Sequence, residues 1–245
     1  AEHRAQTESG AIGAIVFGSD QGLVGRFNDE VADFAVKTLA ALPGEARVWA
    51  VGERVHARLA DAGLPVVGLF AVPNSVDAIA ELVGQIQIAS QARRAKHEYE
   101  RVYVFHNRPR AGALYEPIAQ RLLPLDAEWQ RTLTQVPWPT AALVEVMAPR
   151  AETLRALVGE YLFISLFRAC AESLASENAS RLASMQRAEK NIRDMLEDLK
   201  RTFHRLRQDS IDEELFDVIA GYEALSKSSA GPAPNGANNG TLEAP

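Results

Sequence analysis

The chain has 245 residues, 47% of them hydrophobic, with a formal net charge of -6 and a pI near 5.5. That is enough apolar material for one compact domain plus an extension, and the acidic balance excludes a nucleic-acid module, whose footprint is a strongly basic surface. The single cysteine, Cys170, excludes an internal disulfide and fits a reducing compartment, and no apolar run approaches the ~20 residues of a membrane span.

The start, Ala1 to Gly10, is polar and lacks the apolar stretch of a signal peptide. From Ile12 onward, strand and helix patterns alternate. Ile12 to Gly18 is a short apolar run, Gly25 to Leu42 carries helical spacing, and Arg47 to Gly52 is a second strand before a helical stretch from Glu53 to Ala62. Val66 to Val72 is a third strand, Asn74 to His97 a helix capped by Asn74 or Ser75, and Arg101 to His106 a fourth strand. The alternation predicts an α/β domain over residues 12–148 with a small, open, mostly parallel, Rossmann-like sheet. Leu122 to Leu125 and Ala142 to Met147 are candidate edge strands in a stretch made irregular by Pro124, Pro137 and Pro139.

The turn after the first strand, Gly18-Ser-Asp-Gln-Gly-Leu-Val-Gly25, has the outline of a glycine turn that seats pyrophosphate on a helix N-terminus. A dinucleotide fingerprint needs glycine where Asp20 sits, and a carboxylate there repels phosphate. No Lys-Ser or Lys-Thr follows Gly25, which excludes a P-loop. Asp20, Gly22 and Gly25 are therefore expected to be structural turn residues, with Asp20 capping the next helix. No catalytic, cofactor-binding or metal-ligating set is expected. His3, His56, His97, His106 and His204 have no ligand spacing with each other or with Cys170, and no hydrolase serine motif occurs. Each histidine reads as a surface or capping residue, and Cys170 as a small packing residue.

From Arg150 to Leu225 no proline occurs, and Gly159 and Gly221 are the only glycines. Steps of three and four residues trace a seam from Leu154, Leu157, Tyr161 and Ile164 through Leu182, Met185, Ile192, Leu196 and Leu199 to Phe203 and Leu206, interrupted by Arg168, Asn178 and Glu189. An average period of 3.5 is that of a left-handed coiled coil, so residues 149–225 are expected to form one very long helix with a helical partner. At about 1.5 Å per residue it spans roughly 110 Å and must project. The tail, residues 226–245, is rich in Ser, Ala, Gly, Pro and Asn and is expected to be disordered.

Three segments together resemble the gamma subunit of F-type ATP synthases. Ser173-Leu-Ala-Ser-Glu-Asn-Ala-Ser-Arg-Leu-Ala-Ser-Met-Gln-Arg-Ala, with Asn191 soon after, is similar to that family's hallmark segment. Arg205-Leu-Arg-Gln-Asp-Ser-Ile-Asp-Glu-Glu-Leu with Val218-Ile-Ala-Gly221 resembles its C-terminal signature, and Ser19-Asp-Gln-Gly-Leu-Val-Gly25 its turn after the first strand. The resemblance implies a non-catalytic rotor whose long helix threads a ring of alpha and beta subunits. It also implies an α/β domain facing an epsilon-type subunit and the membrane c-ring, peripheral on the cytoplasmic face of a bacterial membrane, with no cofactor. Carried over by position, Arg181, Arg207, Gln208, Asp212 and Glu214 would touch the catalytic ring.

Gln21 stands where the family commonly has Arg, Val24 where it often has Cys, and Asp212 where Thr is usual, departures that point to a divergent or alternate-type member and place the Asp212 contact in doubt. Family members begin with a long helix, the shaft's other half, whereas Ala1 to Ala11 alone precede Ile12 here. On that reading residues 1–11 are a remnant of the N-terminal segment, and the uncovered seam should make the isolated chain self-associate. The competing readings are a Rossmann-like nucleotide-dependent enzyme using Asp20 and Gly22, and a coiled-coil adaptor unrelated to the synthase.

Overall fold

A computed structural model describes residues 10–94, 98–111, 113–125, 127–137, 140, 142 and 145–229. Five strands form one sheet in the order β3-β2-β1-β4-β5: β1 Ile12–Phe17, β2 Ala46–Val51, β3 Val66–Phe70, β4 Arg101–Arg110 and β5 Ala113–Leu123. The first four run parallel, joined by α1 Phe27–Ala40, α2 Glu53–Asp61 and α3 Asp77–Arg94. α4, Ala127–Thr134, and α5, Arg150–Ser229, follow the sheet.

Period-2 alternation assigns each strand's side chains to two faces. Ile12, Ala14, Val16, Val48, Ala50 and Phe105 pack with Val31, Ala35 and Leu39 of α1 and with Val55 and Leu59 of α2. Ile15, Phe17, Trp49, Val51, Val102 and Val104 pack on the other face with Ile79, Val83 and Ile86 of α3 and with Leu166, Ala169 and Cys170 of α5. Both faces being covered explains why these strands read as continuous apolar runs. Cys170 is a core residue whose thiol burial pushes up to about 12.

β5 departs from the expected edge strands. It begins at Ala113, pairs antiparallel with β4 over most of its length, and contains Pro117. Its inner edge alone is paired, so a proline is tolerated there. β4 correspondingly runs four residues beyond the expected end at His106, to Arg110. Of the second candidate edge strand, residues 143 and 144 lie outside the described residues, and Glu145 to Met147 carry no strand. Ser75 rather than Asn74 supplies the cap of α3, its Oγ accepting the Ala78 N–H at 3.4 Å.

α5 is a single uninterrupted helix from Arg150 to Ser229, as expected, and it runs four residues into the expected tail. Residues 230–245, most of the expected tail, lie outside the described residues, as do His3, His97 and residues 1–9. The chain divides into two units, residues 1–187 and 188–245. In the first, α5 meets the sheet through a stripe of small residues, Ser165, Ala169, Cys170, Ser173, Ser176 and Ser180, all buried. This stripe is distinct from the expected seam, whose Leu154, Leu157, Ile164 and Leu182 remain exposed. In the second, Ile192, Leu196, Leu199, Phe203 and Leu206 are likewise more than half exposed.

Candidate functional site

The C-terminal ends of β1, β2 and β3 are tied together by backbone. The Gly18 N–H donates to Val51 O at 2.8 Å, Gly52 N–H to Phe70 O at 2.9 Å, and Arg54 N–H to Ser19 O at 3.0 Å. Asp20 completes the knot, one carboxylate oxygen accepting the Glu53 N–H and the other the Val72 N–H, each at 2.9 Å. Asp20 thus caps α2, the second helix after it in sequence, and not α1 as the residue pattern suggested. Tertiary packing, not sequence adjacency, brings the first N–H of α2 to this carboxylate, and the macrodipole there favours a negative charge. Replacing Asp20 with Ala should cost about 1–3 kcal/mol, because two backbone donors lose their acceptor. Asp20→Asn, which keeps one carbonyl oxygen, should cost less, and urea denaturation of the two variants measures both.

The same turn is closed to phosphate. The Asn28 side chain accepts the Ser19 N–H at 2.9 Å and donates to Ser19 Oγ at 2.8 Å, and the Asp20 carboxylate occupies the mouth. A donor that would cradle an anion is already spent, which removes the support for a nucleotide-dependent enzyme. Gly25 has φ +59°, and the neighbouring Leu23, exposed at the tip, also sits in the left-handed region at +62°. Gly22 lies outside that region, and a Cβ there would meet only Arg54 Nη2 at 3.7 Å.

α5 crosses this end of the sheet with polar side chains inward. Ser176 Oγ donates to Asn107 O at 3.0 Å and Ser180 Oγ to Val24 O at 2.5 Å. His106 is 2% exposed and donates from Nε2 to Glu172 Oε2 at 2.8 Å, so it is neither a surface nor a capping residue as its sequence context implied. Burial pulls its pKa below 6.5, outweighing the Glu172 hydrogen bond, and the nearby Arg108 and Arg168 add to the effect. For Glu172 burial acts upward, but hydrogen bonds from His106 and Arg168 hold the carboxyl below its ordinary value. At neutral pH both shifts favour a neutral imidazole donating to a carboxylate. No cluster of three or more His, Cys, Asp or Glu suited to a metal occurs among the described residues.

Of the expected contact residues, Arg181 is brought to the Asp20 turn. Asp20, Gln21, Val72, Pro73 and Asn74 face Leu174, Glu177, Asn178 and Arg181 across a cleft of about 230 Å³. Arg181 donates to Glu177 Oε1 at 2.5 Å and to Asn178 Oδ1 at 3.2 Å. Arg207, Gln208, Asp212 and Glu214 lie in the second unit, all exposed, on successive turns of α5. Glu177, Asn28 and the serine stripe escaped the sequence reading. Small residues at three- and four-residue steps, Ser173, Ser176 and Ser180, were the available signal.

A family model described as ATP synthase matches residues 1–225. An ATP synthase gamma chain of Desulforapulum autotrophicum is 30% identical over 235 residues, covering 88% of this chain and 74% of the relative. The chain belongs to the ATP synthase gamma chain family. The gamma chain of Nitrosomonas eutropha is 27% identical over 223 residues, covering 87% of this chain and 74% of that protein. Among solved structures, a chain of the Euglena gracilis mitochondrial ATP synthase shares the fold with TM-score 0.65 at 14% identity, covering 97% of this chain and 79% of its own length. One from the Tetrahymena thermophila mitochondrial ATP synthase central stalk aligns with TM-score 0.55 at 20% identity, over 73% of this chain and 76% of its own. As a gamma chain it is a non-catalytic central-stalk rotor subunit of an F-type ATP synthase. Membership sets aside the unrelated coiled-coil adaptor.

Proposed function

We propose that this gamma chain couples rotation to the catalytic ring through side chains on α5, with Arg181, Arg207, Gln208 and Glu214 touching alpha and beta subunits. For Arg207, Gln208 and Glu214 the supporting observation is the surface of residues 188–226, whereas Arg181, held by Glu177 and Asn178, rests on its place in the hallmark segment. Residues 188–226 are exposed throughout, and the side chains of Arg207, Gln208, Asp212 and Glu214 make no hydrogen bond or ion pair within the chain among the described residues. Exposed, unpaired guanidinium and carboxylate groups are free to form charge-assisted hydrogen bonds with another subunit. An asymmetric shaft that favours different conformations in otherwise equivalent subunits is, by linkage, driven round when nucleotide binding changes those conformations. Asp212 is left out of these contacts, because the family usually has Thr at that position.

The α/β domain would face the epsilon-type subunit and the c-ring, holding the complex peripherally on the cytoplasmic face of a bacterial membrane. Among the described residues no helix is long and apolar enough to cross a membrane.

The test is to reconstitute the synthase with Arg207→Ala and Glu214→Ala gamma chains and to measure ATP hydrolysis and rotation. A charge-assisted hydrogen bond contributes about 1.5–3 kcal/mol, so turnover should fall on the order of tenfold or more for each. Helix content should not change, because both side chains are exposed. Wild-type turnover in both variants would remove these residues from the coupling path.

A further inference from the structure

Glu177 is buried, 4% exposed, among the small residues by which α5 meets the sheet. Its Oε1 accepts from Arg181 Nη2 at 2.5 Å, while Oε2 has no hydrogen-bond partner among the described residues. A carboxylate kept there is costly, and an apolar side chain of similar volume would avoid that cost. Burial, which the Arg181 hydrogen bond opposes and the charge of Asp20 reinforces, pushes the Glu177 carboxyl above its ordinary value. What the carboxylate holds is the guanidinium one turn further along α5. Arg181 is the outer member of the pair, its side chain 22% exposed, and its Nη1 also donates to Asn178 Oδ1 at 3.2 Å. Both terminal nitrogens are thus held from the preceding turn, and a guanidinium with five N–H donors keeps others for a partner. An exposed pair at this spacing holds neither side chain firmly. Here one partner is packed in place and fixes the other. The Asp20 carboxylate across the cleft is no substitute, because both its oxygens already accept from the Glu53 and Val72 N–H groups.

We propose that Glu177 is a positioning residue for Arg181, holding its guanidinium in the orientation in which it meets the catalytic ring, with Asn178 steadying the second nitrogen. This rests on the ring contact proposed above for Arg181. Setting a long side chain in place beforehand removes rotamer freedom that the contact would otherwise have to remove itself. A carboxylate suits that task better than an amide, because its hydrogen bond to a guanidinium is charge-assisted and therefore stronger.

The test reconstitutes the synthase with gamma chains carrying Arg181→Ala, Glu177→Ala, Glu177→Gln or Asn178→Ala, and with each of the last three combined with Arg181→Ala. ATP hydrolysis at saturating ATP and the melting temperature of each assembled complex are measured. Arg181→Ala should lower turnover on the order of tenfold. Glu177→Ala should lower it about three- to tenfold, and Glu177→Gln, which keeps an oxygen for Arg181, by less. Asn178 is exposed, so Asn178→Ala should leave the melting temperature unchanged while lowering turnover about twofold. All three losses should vanish in the Arg181→Ala background, a non-additivity that a purely structural role for Glu177 does not produce. Should Glu177→Ala fail to assemble, Glu177→Gln and Asn178→Ala carry the same comparison. Losses by equal factors in both backgrounds, or full turnover in the Glu177 and Asn178 variants while Arg181→Ala is impaired, overturn the positioning role and leave the ring contact standing. Full turnover in Arg181→Ala removes the ring contact itself, and the positioning role with it.

Discussion

Gly52→Ala is expected to destabilise the protein by about 2–6 kcal/mol, the sum of a backbone and a packing effect. Gly52 has φ +113°, a conformation that disfavours a side chain, and a Cβ built there lies 2.7 Å from Ser19 O and 2.8 Å from Ser19 C and N. Those neighbours are backbone atoms and cannot swing aside as the end of a flexible side chain can. The β1–α1 turn would have to move, and with it the Asp20 carboxylate that caps α2 and secures Val72. Gly63→Ala is the control. Gly63 also has positive φ, +79°, but nothing lies within 4 Å of its Cβ position. It should cost only the conformational part, about 1–2 kcal/mol. Urea denaturation of both variants separates the two effects, and equal losses would show that the contact with Ser19 is not what requires glycine at position 52.

Phe105→Ala is expected to lower the unfolding free energy by about 3–5 kcal/mol. Phe105 is fully buried on β4, facing α1, with the Phe34 ring 6.3 Å away edge-on and Tyr103 at 6.4 Å. Its strand is flanked by β1 and β5, so the backbone around it cannot readily collapse into the space left by the ring. The loss should appear as a lower urea midpoint at an unchanged m-value. A loss below about 1 kcal/mol would mean that the site repacks.

The legible parts of the fold were those where a local pattern had a single physical outcome. β1 to β4 came from apolar runs of strand length, and α1 to α3 from spacing between them, with ends displaced by a few residues. β5 was hidden because its run, Ala113–Leu123, mixes Glu116, Pro117, Gln120 and Arg121 with apolar residues, as befits an edge strand with one paired side. Its extent is decided by hydrogen bonding to β4, and no composition rule encodes that pairing. The seam of α5 was legible as periodicity. The second stripe, by which α5 rests on the sheet, was not, because Ser173, Ser176 and Ser180 read as ordinary helix-surface residues until Asn107 O and Val24 O are placed opposite them.

For the candidate site the division is similar. The proposed contacts Arg181, Arg207, Gln208 and Glu214 rest on the hallmark and C-terminal segments alone, since a family resemblance speaks only of position along the chain. The role of Asp20 was misassigned, and the relation of His106 to Glu172 was invisible. Each joins residues far apart in sequence, such as Asp20 with Val72 and His106 with Glu172. By itself, then, the amino-acid sequence determined the helix periodicity, the α/β alternation and the family, because propensity, hydrophobic period and motif order are local properties of the chain. Tertiary structure alone decided which helix Asp20 caps, which stripe of α5 is buried, and that one oxygen of Glu177 is left without a donor. Hydrogen-bond partners and burial depend on distances through space, which residue order does not specify.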